Sequence, residues 1–444
     1  MSRRVNGKLS NDGSYQAQLR QAISRHLPAK GLATTTDDAR VRWVDRLLVT
    51  CAILMAWEAG HTLVDRFGAA RACVVQMFPT RRRPGKTYAG FIAALVAAGG
   101  PLLATVTAAL RLSVRRAADA GGCWRTAGWV VFGGDGSKID CPMTAANEAG
   151  LGLGCKEASW PQMLLTTLFH AGTGLPWAFS RGGGRECERS HLRSMLNLLP
   201  AGAMLAADAG FPGYDLFQAI VEEAKCELLI RAGGNVKLLA KLGYAVREFD
   251  GLVYLWPAGK QKSGDPPLVL RLITLRDGRN RPVCLLTSVL EDARLSDADA
   301  AKIYACRWHV ELLFRSLKQT MGRRKMLSDS PAHAQVELDW SVVGLWLLGL
   351  AAAEAAGTTD RLAVAPALRA VRSAMAGRGG DLRRALGRAV ADRYVRNRPK
   401  TARHWPKRAK RKPPGPPEAR TATDAEVLLA KQLRDQGVAK RFAA

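Results

Sequence analysis

The sequence predicts an α/β protein: a helical N-terminal region, a strand-rich centre that returns to helix, and a basic C-terminal arm. Three observations carry that reading. From Asp37 to about Leu112 apolar residues cluster at three- and four-residue spacing, with much Ala and few β-branched runs, which is the period of amphipathic helices. At Trp129 the character changes. WVVFGGDGSKI, MLLTTLFH (163–170), LPWAFSR (175–181) and AMLAADAGF (203–211) are apolar runs of strand length, separated by Gly-rich turns and the amphipathic SHLRSMLNLLP. Past Gly380 the chain turns basic, with ten Arg or Lys and no acid between Arg393 and Lys412.

Each segment follows from its residues. Inside the helical region, Gly85-Lys86-Thr87 resembles the end of a phosphate-binding loop, but that motif needs Gly where Thr80 stands. A basic turn followed by a helix capped by Thr87 is expected instead. Arg81, Arg82 and Arg83, ahead of that helix, are open to two readings, a phosphate contact or a solvated loop. After AMLAADAGF, the stretch GYDLFQAIVEEA reads as helix. Between about Cys226 and Leu295 strands dominate: CELLIRA, YAVREF, LVYLWPAG, LVLRLITLR and PVCLLTSVL. Leu295–Met321 resumes helix from a Ser296 cap. Beyond the basic run, Pro-rich KPPGPPEAR argues against a packed core, and a Thr423–Glu426 capping box opens a last short helix.

Composition narrows the function classes. Lys and Arg number 66 against 38 acids, a formal charge of +28 and a pI near 10.3 in 444 residues. Such an excess points to a polyanionic partner, above all nucleic acid, because neutralised phosphates release counterions. An anionic membrane surface is the distant rival, for want of an amphipathic anchor with a basic face. The apolar runs Leu47–Trp57 and Trp340–Ala353, of 11 and 14 residues, fall short of a bilayer and read as buried helices. Nine scattered cysteines without Cys-x-x-Cys or zinc spacing, and a first stretch without an apolar core, predict free thiols in a cytoplasmic protein.

Three acids stand out. Asp135 closes the first strand within Gly134-Asp135-Gly136, and Asp208 ends a later one within Ala207-Asp208-Ala209-Gly210. A carboxylate at a strand end beside Gly can project into a crevice, although singly each is also an ordinary turn residue. Glu311 lies in YACRWHVELLFRSLK (304–318). At ~100° per residue, Tyr304, Arg307, Glu311 and Lys318 fall within roughly 60° of one another, beside an apolar face of Ile303, Cys306, Val310, Leu313, Phe314 and Leu317. Spacing alone favours a solvated face with a Glu–Lys pair, so the rest of the chain has to decide. Three hard oxygen donors suit Mg²⁺, and two such ions can serve an in-line displacement at phosphorus.

Tyr304, Arg307, Glu311 and Lys318 match the Tyr–Arg–Glu–Lys signature of DDE transposases in the insertion-sequence-four superfamily, and VVFGGDGS, AADAGFPGYDLF and LLIRAGGNVKLL also resemble that family. The resemblance spans roughly 125–350. It implies a ribonuclease H-like catalytic core interrupted by a β-strand insertion: a DNA-binding helical region over 1–120, core over 125–225, insertion over 226–295, core again over 296–375, and a basic, Pro-rich region over 376–444. It implies Asp135, Asp208 and Glu311 as catalytic metal ligands for Mg²⁺, in two ions, with Mn²⁺ able to substitute. Arg307, Lys318 and Tyr304 would grip DNA phosphates, and Trp308 is either core or a stacking surface for an extruded base. The implied activity is cleavage and strand transfer at the terminal inverted repeats of the element, on double-stranded element and target DNA, by a homodimer. The rivals are a ribonuclease H-like structure-specific nuclease and a non-catalytic DNA-binding relative. Members that cut through a DNA hairpin carry an aromatic in the strand before the Glu helix. Here Arg281–Thr287 has none, and Trp256 is the alternative candidate.

Overall fold

The computed structural model describes residues 14–28, 30–33, 38, 41–79, 83–154, 160–278, 280–360, 362–390 and 415–437. The basic run Arg393–Lys412 and Arg81 and Arg82 lie outside them; Arg83 is exposed.

Four helices come first: α1 (Tyr15–Ser24), α2 (Asp45–Trp57), α3 (Leu63–Met77) and α4 (Tyr88–Ala120). Three begin at a hydroxyl cap. The side chains of Ser14, Thr62 and Thr87 accept from the N–H of Ala17, Asp65 and Gly90, satisfying donors that the first turn leaves free. Thr87 is thus a helix cap, as expected. Helix α4 kinks at Gly99, whose φ of 50° suits a residue without Cβ, two residues before Pro101.

The centre is a single ten-stranded mixed sheet, in the order β10-β6-β7-β8-β9-β5-β4-β1-β2-β3. Strand β1 (Val131–Asp140) leads through α5 (Ala145–Leu151) to β2 (Gln162–His170) and β3 (Leu175–Gly183), which form an antiparallel meander with it. Helix α6 (Glu188–Ser194) then crosses to β4 (Met204–Ala207), parallel to β1. Helix α7 (Tyr214–Gln218), extended by a π-helical turn, leads to β5 (Glu227–Ala232), parallel to β4. Next come β6 (Lys237–Ala240), β7 (Leu252–Leu255), α8 (Ala258–Ser263), β8 (Leu268–Arg276) and β9 (Pro282–Thr287), which pairs with β5. The sequence YAVREF is not a strand; Lys237–Ala240, just before it, is.

The predicted single helix over 295–321 is three pieces: α9 (Asp297–Ala305), α10 (Trp308–Arg315) and a π-helical turn at Ser316–Thr320. Ser296 caps α9 through Asp299 N–H. The long α11 (Pro331–Ala356) contains the second apolar run and α2 the first, and the two pack together in the core. Helices α4 and α11 are long and apolar enough to cross a membrane, but the most apolar window of α11 is 89% buried inside the protein. After α12 (Val364–Met375) and α13 (Leu382–Gly387), the Pro-rich stretch, expected to stay outside a packed core, ends in a strand. This β10 (Glu418–Thr421) adds to the sheet edge parallel to β6, followed by α14 (Asp424–Asp435) behind its Thr423–Glu426 capping box.

Candidate active site

Strand β1 organises the site. Alternation puts Asp135 and Ser137 on one face and Gly134 and Gly136 on the other. A Cβ at Gly134 would meet the Leu192 side chain at 3.1 Å, and one at Gly136 would lie 2.6 Å from the Glu188 carboxyl, so α6 packs closely only because both residues are glycine. The Asp135 face belongs to α10.

Strand β4 follows β1 only as far as the Gly134–Ala207 pair. The next residue on each strand is the acid, so Asp135 and Asp208 stand side by side where parallel pairing ends, at the carboxyl end of β4. Each is steadied locally. Asp135 Oδ1 accepts from Gly136 N–H (2.8 Å) and Asp208 Oδ1 from Gly210 N–H (2.8 Å). The third acid arrives through a cation: Arg307 lies 3.7 Å from Asp135 Oδ2 and 3.2 Å from Glu311 Oε1.

Burial, then the neighbouring charge of Asp208, pushes the Asp135 carboxyl up to about 7, against the pull of Gly136 N–H and Arg307. Two adjacent carboxylates at this depth call for a cation. Among the described residues no three His, Cys, Asp or Glu side chains are gathered as a metal site, since Arg307 stands between Asp135 and Glu311. The donor set nevertheless fits a hard divalent ion: all three are carboxylates, two of them adjacent.

Residues 135–347 match the family described as "Transposase DDE domain". A curated relative named "Putative transposase y4zB", from Sinorhizobium fredii, is 29% identical over 35% of this chain and 44% of that protein. The Escherichia coli "Transposase InsG for insertion sequence element IS4" is 26% identical over 42% of this chain and 43% of its own length. Residues 135–347 are thus similar to DDE transposase domains, the IS4 transposase among them. The chain spans less than half the length of the curated relatives it matches. A piggyBac transposase synaptic complex with hairpin DNA aligns over 81% of this chain and 76% of that one, with 12% identity and a TM-score of 0.37.

Within the matched region the remaining signature residues occupy distinct places. The half-buried Tyr304 ring lies 5.8 Å from the Arg307 guanidinium. Trp308 is 55% exposed, which excludes the core reading. Lys318 does not pair with Glu311. It donates to Ser137 Oγ (2.8 Å) and the Lys138 carbonyl (2.7 Å), in the stretch of β1 that β4 leaves uncovered, and burial lowers its pKa. The π-helical turn moves it off the simple helical register. Trp256 is buried with its Nε1 donating to the Asp265 carbonyl (2.7 Å), so it packs inside the protein rather than facing a DNA strand. Sequence reasoning missed Glu188. Burial and then the charge of Asp208 raise its pKa, and it accepts no hydrogen bond among the described residues. Its approach depends on the bare edge at Gly136, which no residue spacing announces.

Proposed function

We propose that this chain is the transposase of a bacterial insertion sequence, catalysing metal-dependent cleavage and strand transfer at the terminal repeats of its element. One observation carries the reading: Asp135 and Asp208 end their pairing side by side, and Arg307 ties Glu311 to the same point. The strand order 3-2-1-4-5, antiparallel across β1–β3 and parallel across β1, β4 and β5, supports a ribonuclease H-like core. Asp135, Asp208 and Glu311 would hold Mg²⁺, in two ions, with Mn²⁺ able to substitute; when bound, these supply Lewis-acid stabilisation of charge at phosphorus.

The chain's own residues do the rest. Arg307 presents a planar fork suited to two oxygens of one phosphate, and Tyr304 supports it from the side. Lys318 fixes the uncovered edge of β1, holding Asp135 and Ser137 in line with α10, and adds positive charge there. Trp308, exposed next to Arg307, offers a stacking face to an extruded base. The partners are element ends and target DNA, met in the cytoplasm; the homodimer follows from the family resemblance.

The test is incubation of candidate terminal-repeat DNA with Mg²⁺, mapping cut ends and joined products. Asp135→Ala, Asp208→Ala and Glu311→Ala should each abolish cleavage while leaving DNA affinity largely intact, because affinity comes from many phosphate contacts. Near wild-type cleavage by any one removes that residue from the site. Cutting without joining would favour a structure-specific nuclease.

A further inference from the structure

The uncovered edge of β1 runs from Gly136 toward Asp140 and ends at a surface that the reading above does not use. There the segment 324–326 closes against β1: Asp140 N–H donates to the Arg324 carbonyl (3.2 Å) and Met326 N–H to the Asp140 carbonyl (2.8 Å). Arg324 and Lys325 are both exposed. Lys325 Nζ stands 4.1 Å from the centroid of the Trp160 ring, and Trp160, just ahead of β2, is 45% exposed. Asp140, the acid between them, has Oδ1 engaged by Gln162 Nε2 (2.8 Å).

An indole left in water with a cation against one face is a platform for a second flat, electron-rich partner. Base faces qualify, and stacking on aromatics beside cations is how proteins hold unpaired strands without reading sequence. A duplex keeps its base faces inside the stack, so a Trp ring at a rim selects for unpaired bases. Distance fits as well. From Asp135 to Asp140 the strand advances ~17 Å, about five nucleotides at the duplex rise of 3.4 Å and fewer along an extended unpaired strand.

We infer that Trp160, Lys325 and Arg324 form a single-stranded DNA contact, which holds unpaired nucleotides a few steps from the scissile phosphate, with a base stacked on Trp160 and phosphates on Lys325 and Arg324. The inference rests on the transposase reading, since it takes the strand to start at the acids. None of the three residues belongs to the acid and cation set assigned above.

The test uses the full chain, fluorescein-labelled (dT)12 and a labelled random 30-base-pair duplex, followed by anisotropy. Trp160→Ala should weaken (dT)12 binding about tenfold and change duplex binding less than twofold, while Trp160→Phe should retain most of the affinity. Lys325→Ala should lower the slope of log affinity against log salt for (dT)12 by about one phosphate contact. As a measurement independent of any variant, (dT)12 carrying one 5-iodouracil should photocrosslink to the peptide containing Trp160 in the wild-type protein. Equal (dT)12 affinity in folded Trp160→Ala, or crosslinks only elsewhere, overturns the inference and leaves the transposase reading standing. If the wild-type protein binds neither probe, both fall.

Discussion

Arg307 touches two of the three acids, so its removal leaves Asp135 and Glu311 without their shared cation and, on the proposed reading, also takes a two-pronged donor from the phosphate. The second effect should dominate the chemistry. A charge-assisted contact is worth roughly 1.5–3 kcal/mol, so cleavage by Arg307→Ala should fall about ten- to a hundredfold, with Arg307→Lys restoring only part. Lys318→Ala should fall similarly by freeing Ser137 and the Lys138 carbonyl. Rates on terminal-repeat DNA, for proteins whose melts match wild type, decide the matter; unchanged rates in both would return this face to a structural role. Asp208 was legible as a candidate because a carboxylate beside Gly at a strand end is a recognisable local pattern, and Glu311 because of its spacing from Tyr304, Arg307 and Lys318. Asp135, expected to close its strand, instead lies midway along β1, where pairing with β4 stops. Glu188 was not legible, since what brings it in is space rather than spacing. Gly133 makes the same point energetically. A Cβ there would lie 2.1 Å from the buried Phe169 ring, so Gly133→Ala should cost ~1–3 kcal/mol. Gly100→Ala, with nothing within 4 Å of its Cβ, should not destabilise. A calorimetric comparison showing equal melting temperatures for the two would contradict this packing.

Elements were read well where one period governs and poorly where tertiary contacts override it. Tyr304–Lys318 has no Pro or Gly, and nothing in its pattern announces a break. Yet Cys306, Arg307, His309 and Val310 all bond three residues back rather than four, tightening the chain between α9 and α10. Breaker signals are absent because the causes lie elsewhere: Arg307 is drawn to Asp135, and His309 Nδ1 lies 3.0 Å from the Ala171 carbonyl beyond β2. The π-helical turn ends at a second such anchor. Arg323, 2% exposed, donates to the carbonyls of Ala56 (2.8 Å) and Met321 (2.9 Å) and to Ser341 Oγ (3.2 Å). With Arg372, which donates to the Trp57 carbonyl (2.5 Å), it closes the C-terminal end of α2. Arg323→Met keeps much of the volume but orphans buried carbonyls, each costing about 1–3 kcal/mol, so it should destabilise the chain by ~3 kcal/mol. Urea midpoints would check this; a loss under ~1 kcal/mol would mean that α2 does not depend on this cap.

Across the whole molecule, net charge and class were visible in composition, whereas the seam between the N-terminal helices and the sheet was not, because it joins residues far apart in sequence. That seam is aromatic. Arg115 of α4 lies 3.9 Å over the Trp124 ring, Trp124 stacks on His170 at 4.7 Å, and Phe132 of β1 meets His170 at 5.5 Å. His170 is 1% exposed with Nε2 3.1 Å from the Trp124 carbonyl. Burial lowers its pKa from 6.5 to about 4, the Trp124 carbonyl opposing and Arg115 adding to the shift. The sign follows directly: the unfolded chain takes this proton near pH 6.5 and the folded chain only near 4, so stability falls as pH drops through that window and levels off below it. At 1.36 kcal/mol per unit the loss from this one group approaches ~3 kcal/mol. His26, also buried and lowered to about 4, acts in the same direction, but it is common to wild type and a His170 variant. His170→Gln should therefore be less stable than wild type at pH 7.5, through lost stacking, and the gap should narrow by ~2 kcal/mol by pH 4.5, because glutamine has no proton to take up. Urea unfolding of both proteins at several pH values tests it, and a gap that stays constant would mean that His170 is not held neutral at the seam.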